Sequence, residues 1–328
     1  MGCVVTAQIR LEAREYKLLL DPLRFKDAYG YPGVHAFWEK SLKAIIAEHL
    51  GHRHSGEARF KGAFGRPTER AIRFWDTDDL VLARSDWSLR QRTKILNGTE
   101  DNAEHELTLK LRTPDLFIAA ATVVATENKD VTDAFEEDIA PLGVTQLDTS
   151  GKERVILSNP ASVRCRFARA FSRKIHDQKP LGRLAEVYRL FRGLNDSLPE
   201  SALGSVGRIA RLHHGEVMLE RVYDGAAVAL GGGVDGRFTF TEWYLEKDPK
   251  VQRVAEISFR LAIPDGELAR SAAERALMLF TSLQRDLGNL LNLRDDSKTA
   301  LALPHRTPIA LAKRDRHGRP QTSACLLQ

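Results

Sequence analysis

Charged residues at even spacings, mostly two apart, recur along this chain: Glu15 with Lys17, Arg90 with Arg92, Glu106 with Lys110 four on and Arg112 two beyond it, and Arg164 with Arg166. Side chains two apart on a strand share a face. Leu107, Leu109 and Leu111 alternate with the charges around Lys110, so that strand has one apolar and one charged face. Arginine forks and lysines on a common surface suit a ligand with several negative charges. Interspersed carboxylates offer hard oxygen donors to a divalent cation. One such strand alone reads most simply as a solvated sheet face. Recurrence over four strands favours another arrangement, a closed antiparallel barrel with a charged interior and helices over its apolar exterior. Charges turned inward need partners, which the mixed lining and a bound phosphate would supply.

The elements that must position these residues follow from the pattern around them. The segment QIRLEAREYKLLLDP reads as a strand ended by Pro22, and HAFWEKSLKAIIAEHLG as an amphipathic helix stopped at Gly51. Strands are predicted at ARFKGAF and ERAIRFWDT, followed by the hairpin that holds Arg90, Arg92, Glu106 and Lys110. The Ala-rich run DLFIAAATVVAT is expected to be helical, and the acidic stretch over residues 127–150 to be a solvated helix or loop. ASVRCRFARAFSRKI is a third basic strand, and PLGRLAEVYRLFRGL another amphipathic helix. Strand candidates then run from GRIARLHH to QRVAEISFRLA, and the glycines at 231–233 mark a turn. The clearest helix, ELARSAAERALMLFTSLQRDLGNLLNL, follows Pro264-Asp265-Gly266. Because strands and helices do not alternate as βαβ units, the class is α+β. One domain is expected over 1–295, with a disordered basic tail over 296–328.

Composition narrows the function classes. At 328 residues, 43% hydrophobic and 28% charged, the chain can build a sizeable core. No apolar run is long enough for a transmembrane helix, and the N-terminus lacks a signal-peptide pattern. Cys3, Cys165 and Cys325 are too far apart to suggest a disulfide framework or zinc cluster, which fits a cytoplasmic protein. A net charge of +5 is compatible with an anionic partner. No aromatic–basic RNA motif appears, so nucleic acid is not the expected partner. His52 and His54 read as a solvated loop. Met1–Thr6 and Cys325–Gln328 match short lipidation patterns that chance meets readily.

In order along the chain, Glu15-Tyr16-Lys17, Phe74-Trp75-Asp76-Thr77-Asp78-Asp79-Leu80, Leu89-Arg90-Gln91-Arg92, Leu107-Thr108-Leu109-Lys110 and Ala255-Glu256 before a long helix resemble the motifs of the CYTH superfamily, the triphosphate tunnel metalloenzymes. The resemblance spans most of residues 8–292. It implies an antiparallel eight-stranded β-tunnel, a closed barrel with flanking helices, that binds a triphosphate with Mg²⁺ or Mn²⁺. Carried over residue by residue, Glu15 and Glu256 would hold metal and, with Lys110, serve catalysis. Lys17, Arg90, Arg92, Lys110, Arg164 and Arg166 would bind phosphate. Glu106 is a further metal candidate by alternation, and Arg59, Lys61, Arg73 and Glu242 are weaker candidates. Three carboxylate positions of the family pattern are occupied here by Ala13, Gly231 and Ser258. Either other groups such as Glu12, Glu106 or Glu242 complete the metal site, or the tunnel binds a phosphorylated or polyanionic ligand without turnover. The expected activity is metal-dependent hydrolysis of inorganic triphosphate or of an organic or nucleoside triphosphate. An unrelated interaction module with exposed charged strands is the contrasting reading.

Overall fold

The computed structural model describes residues 10–25, 30–51, 59–124, 131–157, 159–176, 181–198, 207–293, 299, 302–304, 313–314 and 320–321. In chain order the strands are β1 (Ala13–Leu20), β2 (Phe60–Lys61), β3 (Thr68–Asp76), β4 (Trp87–Leu96), β5 (Thr99–Thr113), β6 (Thr132–Pro141), β7 (Val144–Leu147), β8 (Glu153–Ile156), β9 (Val163–Ile175), β10 (His213–His214), β11 (Met218–Gly231), β12 (Val234–Leu245) and β13 (Asp248–Ala262). Helix α1 (Gly30–Phe37) runs through one π-helical turn (Trp38–Leu42) into α2 (Lys43–Gly51). The helices α3 (Val81–Arg84), α4 (Leu116–Ala121), α5 (Leu184–Leu190), α6 (Leu194–Ser197) and α7 (Arg270–Asp286) complete an α+β fold.

The large sheet runs β3-β4-β5-β9-β6-β1-β13-β12-β11, and β11 also pairs with β3, so nine strands follow one another in a ring. This corrects the expectation of eight antiparallel strands. The ring has nine, and β1 pairs with β6 in parallel. Short strands β2 and β10 add to β11 and β3, while β7 and β8 form a separate hairpin.

Alternation decides which way each strand faces. Along β5, Leu107, Leu109 and Leu111 are buried on the outside with Leu89 of β4, under Val187 and Phe191 of the α5 region. Tyr16 and Leu18 of β1, Phe240 of β12 and Ile257 and Phe259 of β13 face outward too, packing with Trp38 and with Leu279 and Phe280 of α7. The helices thus cover an apolar exterior, and the intervening charged positions turn inward. A third cluster (Ile72, Phe74, Met218, Trp243 and Val254) joins inward residues of β3, β11, β12 and β13, and Ala302 is buried against it.

Other local expectations change. Among the described residues of the Ala-rich run, Leu116–Ala121 are helical and the next three are not, and most of GRIARLHH is not strand. The acidic stretch is not a solvated helix or loop: residues 132–141 form β6, in the middle of the sheet between β1 and β9. Its period was masked because Glu137, on the outward face, is itself acidic and pairs with Arg14. No helix among the described residues is long and apolar enough to cross a membrane. His52, His54, both lipidation-like ends and most of the 296–328 tail lie outside the described residues.

Candidate functional site

The inward faces line a cavity of about 600 Å³. Glu15 and Lys17 come from β1, Arg90 and Arg92 from β4, Lys110 and Arg112 from β5, Glu136 and Asp138 from β6, Arg164 and Arg166 from β9, and Glu256 and Ser258 from β13. Each pair is spaced by two, as the pleat requires.

Glu15, Glu136 and Asp138 each offer one carboxylate oxygen, and these oxygens lie within 4.8 Å of one another. Hard oxygen donors this close fit Mg²⁺ or Mn²⁺. Asp138 lies at the centre of the charge network. Lys17 Nζ donates to its Oδ1 at 2.8 Å and Arg112 Nε to its Oδ2 at 2.9 Å, while Lys110 Nζ lies 3.8 Å from Oδ2. Lys17 also meets Glu15 at 2.9 Å, and Glu136 meets Lys110 at 3.7 Å and Arg260 at 2.8 Å.

The electrostatics follow from crowding in a partly dry site. Burial alone would raise Asp138, but Lys110, Lys17 and Arg112 hold it well below its usual range. Burial likewise opposes ionisation of Glu15, and Lys17 brings it below its ordinary value. Burial pulls Lys17 down, yet Asp138 and Glu15 leave it above an ordinary ammonium. Lys110 is different: burial drives it down to about 8, Arg112 and Lys17 add to the push, and Asp138 and Glu136 only partly oppose it. Burial and then Arg92 push Arg90 down as well. Arg90 Nε is buried with no hydrogen-bond partner among the described residues. A buried donor of this kind is costly until something accepts from it.

A second group lies on the β3/β11/β12 wall. Glu220 is almost fully buried. It accepts from Trp243 Nε1 at 3.1 Å and lies 3.5 Å from both Arg70 and Arg92. Phe74, Trp243 and Leu19 also line the cavity.

Glu15, Lys17, Arg90, Arg92, Lys110, Arg164, Arg166 and Glu256 are thus brought together. Glu256 lies outside the three-carboxylate cluster. Glu106 pairs with Arg92 at 3.3 Å, has a side chain 46% exposed, and is not among the lining residues. Arg73 faces outward and bonds Glu100 at 2.8 Å, and Lys61 bonds Asp235 at 2.7 Å. Arg59 lies beside β11, its carbonyl accepting from the Ala229 N–H. Glu12 precedes β1, its N–H donates to the Phe135 carbonyl, and it is not one of the three clustered carboxylates.

Glu242 is fully buried on the outward face of β12. There it accepts from Tyr223 Oη and Gln252 Nε2, both at 2.8 Å, so it is no cavity ligand. Asp76 is buried too, and accepts from the N–H groups of Thr77, Leu82 and Ala83. It fixes the turn into α3 and is not among the cavity-lining residues.

Sequence reasoning missed Glu136, Asp138, Glu220 and Arg70. The spacing of Glu136 and Asp138, between Phe135 and Ile139, is the signal that marks a strand with two inward carboxylates.

No family model matches the sequence, and no curated protein matches it significantly. Among solved structures, a candidate adenylyl cyclase from Hippeastrum, described as having a dominant triphosphatase activity, is similar. It has a TM-score of 0.40 and 14% identity, covering 89% of this chain and 94% of that one. A candidate adenylate cyclase from Bacillus halodurans has a TM-score of 0.34 and 11% identity, covering 88% of this chain and 95% of its own. A protein from Pyrococcus horikoshii has a TM-score of 0.31 and 11% identity, covering 88% and 97%.

Proposed function

We propose that the nine-stranded ring is a closed barrel whose cavity binds a triphosphate with a divalent cation and hydrolyses it. One observation carries this reading: the cluster of Glu15, Glu136 and Asp138 shares a cavity with Arg90, Arg92, Lys110, Arg112, Arg164 and Arg166. Phosphoryl transfer depends mainly on positioning and neutralising charge, and such a lining supplies both. Mg²⁺ or Mn²⁺ held by the three carboxylates would add charge neutralisation at the phosphate oxygens. On joint entry, Lys17, Lys110 and Arg112 exchange carboxylate partners for phosphate oxygens. Arg90 gains the acceptor that its buried Nε lacks. Water then attacks the terminal phosphorus, and the bond to the bridging oxygen breaks as the remaining phosphates leave. Glu256 serves as a further carboxylate in the cavity.

A second reading keeps the ligand and drops the turnover. It is favoured by Asp138, whose charge Lys17 and Arg112 already neutralise, and by Ser258 at a position where the CYTH pattern has a carboxylate. Phosphate release from tripolyphosphate, ATP and thiamine triphosphate, with Mg²⁺ or Mn²⁺, separates the two. Wild type should release phosphate only with metal, and Asp138→Asn, Glu256→Ala and Lys110→Ala should each lose most of it. No release, with thermal stabilisation by tripolyphosphate that requires Lys110, selects binding without turnover. Absence of both phosphate release and stabilisation defeats both readings.

A further inference from the structure

A second group of cations gathers outside the ring, on and around α5. Leu184, Val187 and Phe191 form the buried side of this element, in one cluster with Leu107 and Leu109 of β5. Arg183, Arg189 and Arg192 are all exposed. With Ala185, Glu186 and Tyr188 they line a groove of about 830 Å³. The groove shares no lining residue with the charged cavity.

The fold concentrates positive charge here. Arg183 pairs with Arg211 in an isolated antiparallel bridge, and Arg211 is exposed too. The Leu184 N–H donates to the Ala210 carbonyl at 2.9 Å, and the Leu212 N–H to the Gly182 carbonyl at 3.1 Å. These bonds flank the bridge, so Arg183 and Arg211 form a non-hydrogen-bonded pair, the kind whose side chains stand closest together. Like charges directly opposite one another destabilise such a pair. Among the described residues, Glu186 is the carboxylate within ion-pair reach of these arginines, 3.9 Å from Arg189. Its other oxygen accepts from the N–H groups of Gly182 and Arg183, at 2.7 and 3.4 Å, so it is committed to the start of α5. Four arginines thus face one carboxylate, and an anion from outside relieves the repulsion.

An apolar strip borders the groove. Gly193 follows Arg192, and a Cβ there would stand 2.6 Å from the Val123 carbonyl oxygen. Glycine, at a φ of +92°, permits this approach and brings the chain at Arg192 beside the end of the α4 segment. On that segment Phe117 is 71% exposed, Ile118 56% and Val123 49%, while Ala119 is buried. Asp115 accepts from the Ile118 N–H at 2.9 Å, which fixes the turn that presents them. Clustered exposed apolar side chains mark an interaction site, and the arginines beside them set the sign of the partner.

We infer that this face docks an acidic segment of a partner protein. Its carboxylates lie on Arg183, Arg189, Arg192 and Arg211, and an apolar side chain covers Phe117 and Ile118. Arginine forks match carboxylate geometry. A concave groove admits single side chains, which a bilayer surface does not offer. A nucleic acid would meet the arginines but has little to cover the α4 strip.

The test is fluorescence anisotropy of a labelled synthetic amphipathic peptide of leucine and glutamate, beside its counterpart with lysine in place of glutamate. The full chain should bind the glutamate peptide at least about tenfold more tightly than the lysine peptide, one 1.4 kcal/mol step. That affinity should fall as salt rises. The double variant Arg189→Glu, Arg192→Glu should weaken it about tenfold or more, and Phe117→Ser severalfold. These three positions are exposed, so the variants should melt like wild type. Lys110→Ala, which alters the charged cavity, should leave peptide binding unchanged. Equal affinity for the two peptides, indifference to the arginine substitutions, or loss in Lys110→Ala alone overturns the proposal. So does a face that ignores the peptide and takes phosphatidylserine vesicles or duplex DNA through the same arginines.

Discussion

Glu136 lies directly alongside Ala13 in the parallel pairing of β6 with β1, and Asp138 lies alongside Glu15. Ala13, which offers no carboxylate, is thus flanked by one on the neighbouring strand. The sheet supplies acid beside that position through strand pairing rather than from β1 itself. Glu136→Gln should therefore weaken Mn²⁺ binding at least as much as loss of an outer-shell partner does, on the order of 10- to 100-fold. Ala13→Glu, which adds a carboxylate at that position, should tighten it. Mn²⁺ titration by calorimetry checks both, and the idea fails if Glu136→Gln binds Mn²⁺ like wild type.

Asp138 accepts from both Lys17 and Arg112 with little solvent to help. Removing its charge takes from Arg112 its partner at 2.9 Å and leaves Lys17 with Glu15 alone. Breaking a buried ion pair costs up to about 3 to 5 kcal/mol, and the partial exposure of Arg112 and the Glu15 partner bring the loss here below that. Asp138→Asn should melt well below wild type, and tripolyphosphate should recover more stability in the variant than in the parent, because phosphate takes over the neutralising role. Thermal unfolding with and without tripolyphosphate, in the absence of metal, measures this. Equal ligand-induced shifts would contradict it.

The parts legible in the sequence are those where leucines frame the charges. Leu107, Leu109 and Leu111 made the inward set on β5 readable, and Tyr16 and Leu18 did the same for Glu15 and Lys17 on β1. β6 failed that test because Glu137 occupies an outward position, where Arg14 of the neighbouring β1, far away in sequence, compensates it at 2.6 Å. Nothing local reveals such a partner, and nothing local reveals that β1 and β6 run parallel. Glu242 shows the opposite error. The sequence leaves the register of its strand open, so Glu242 stands as a weaker candidate. Yet it shares the face of Phe238 and Phe240, and Tyr223 and Gln252 satisfy it there.

Glu242 therefore gives a control. Burial, and then Glu242 beside it, raises the Tyr223 phenol far above its ordinary value, so Tyr223 remains a donor to the carboxylate. Glu242→Leu would strand the Tyr223 hydroxyl and the Gln252 amide, each at a cost of about 1 to 3 kcal/mol. Stability should fall while Mn²⁺ affinity stays at the parental value. Denaturant unfolding alongside a metal titration tests the pair, and a large loss of metal affinity in a folded variant would place Glu242 in the metal site after all.

Lys110 sets the pH response. Its ordinary value of 10.5 is brought to about 8 by burial, with Arg112 and Lys17 adding to the shift. For folding, a lysine lowered in the folded state carries a penalty that is full below about pH 8. The penalty is relieved as pH rises from there toward the unfolded value, so this group's contribution to stability improves with alkali. For ligand binding the sign reverses. A polyanion prefers the ammonium, so affinity is greatest while Lys110 is protonated and falls as pH rises through about 8. Titrating tripolyphosphate from about pH 7 to pH 9.5, without metal, should show affinity declining above 8 with proton uptake on binding. Lys110→Arg keeps the charge over the whole range and should flatten the decline. A parental profile as flat as that of Lys110→Arg would show that Lys110 does not meet the phosphates.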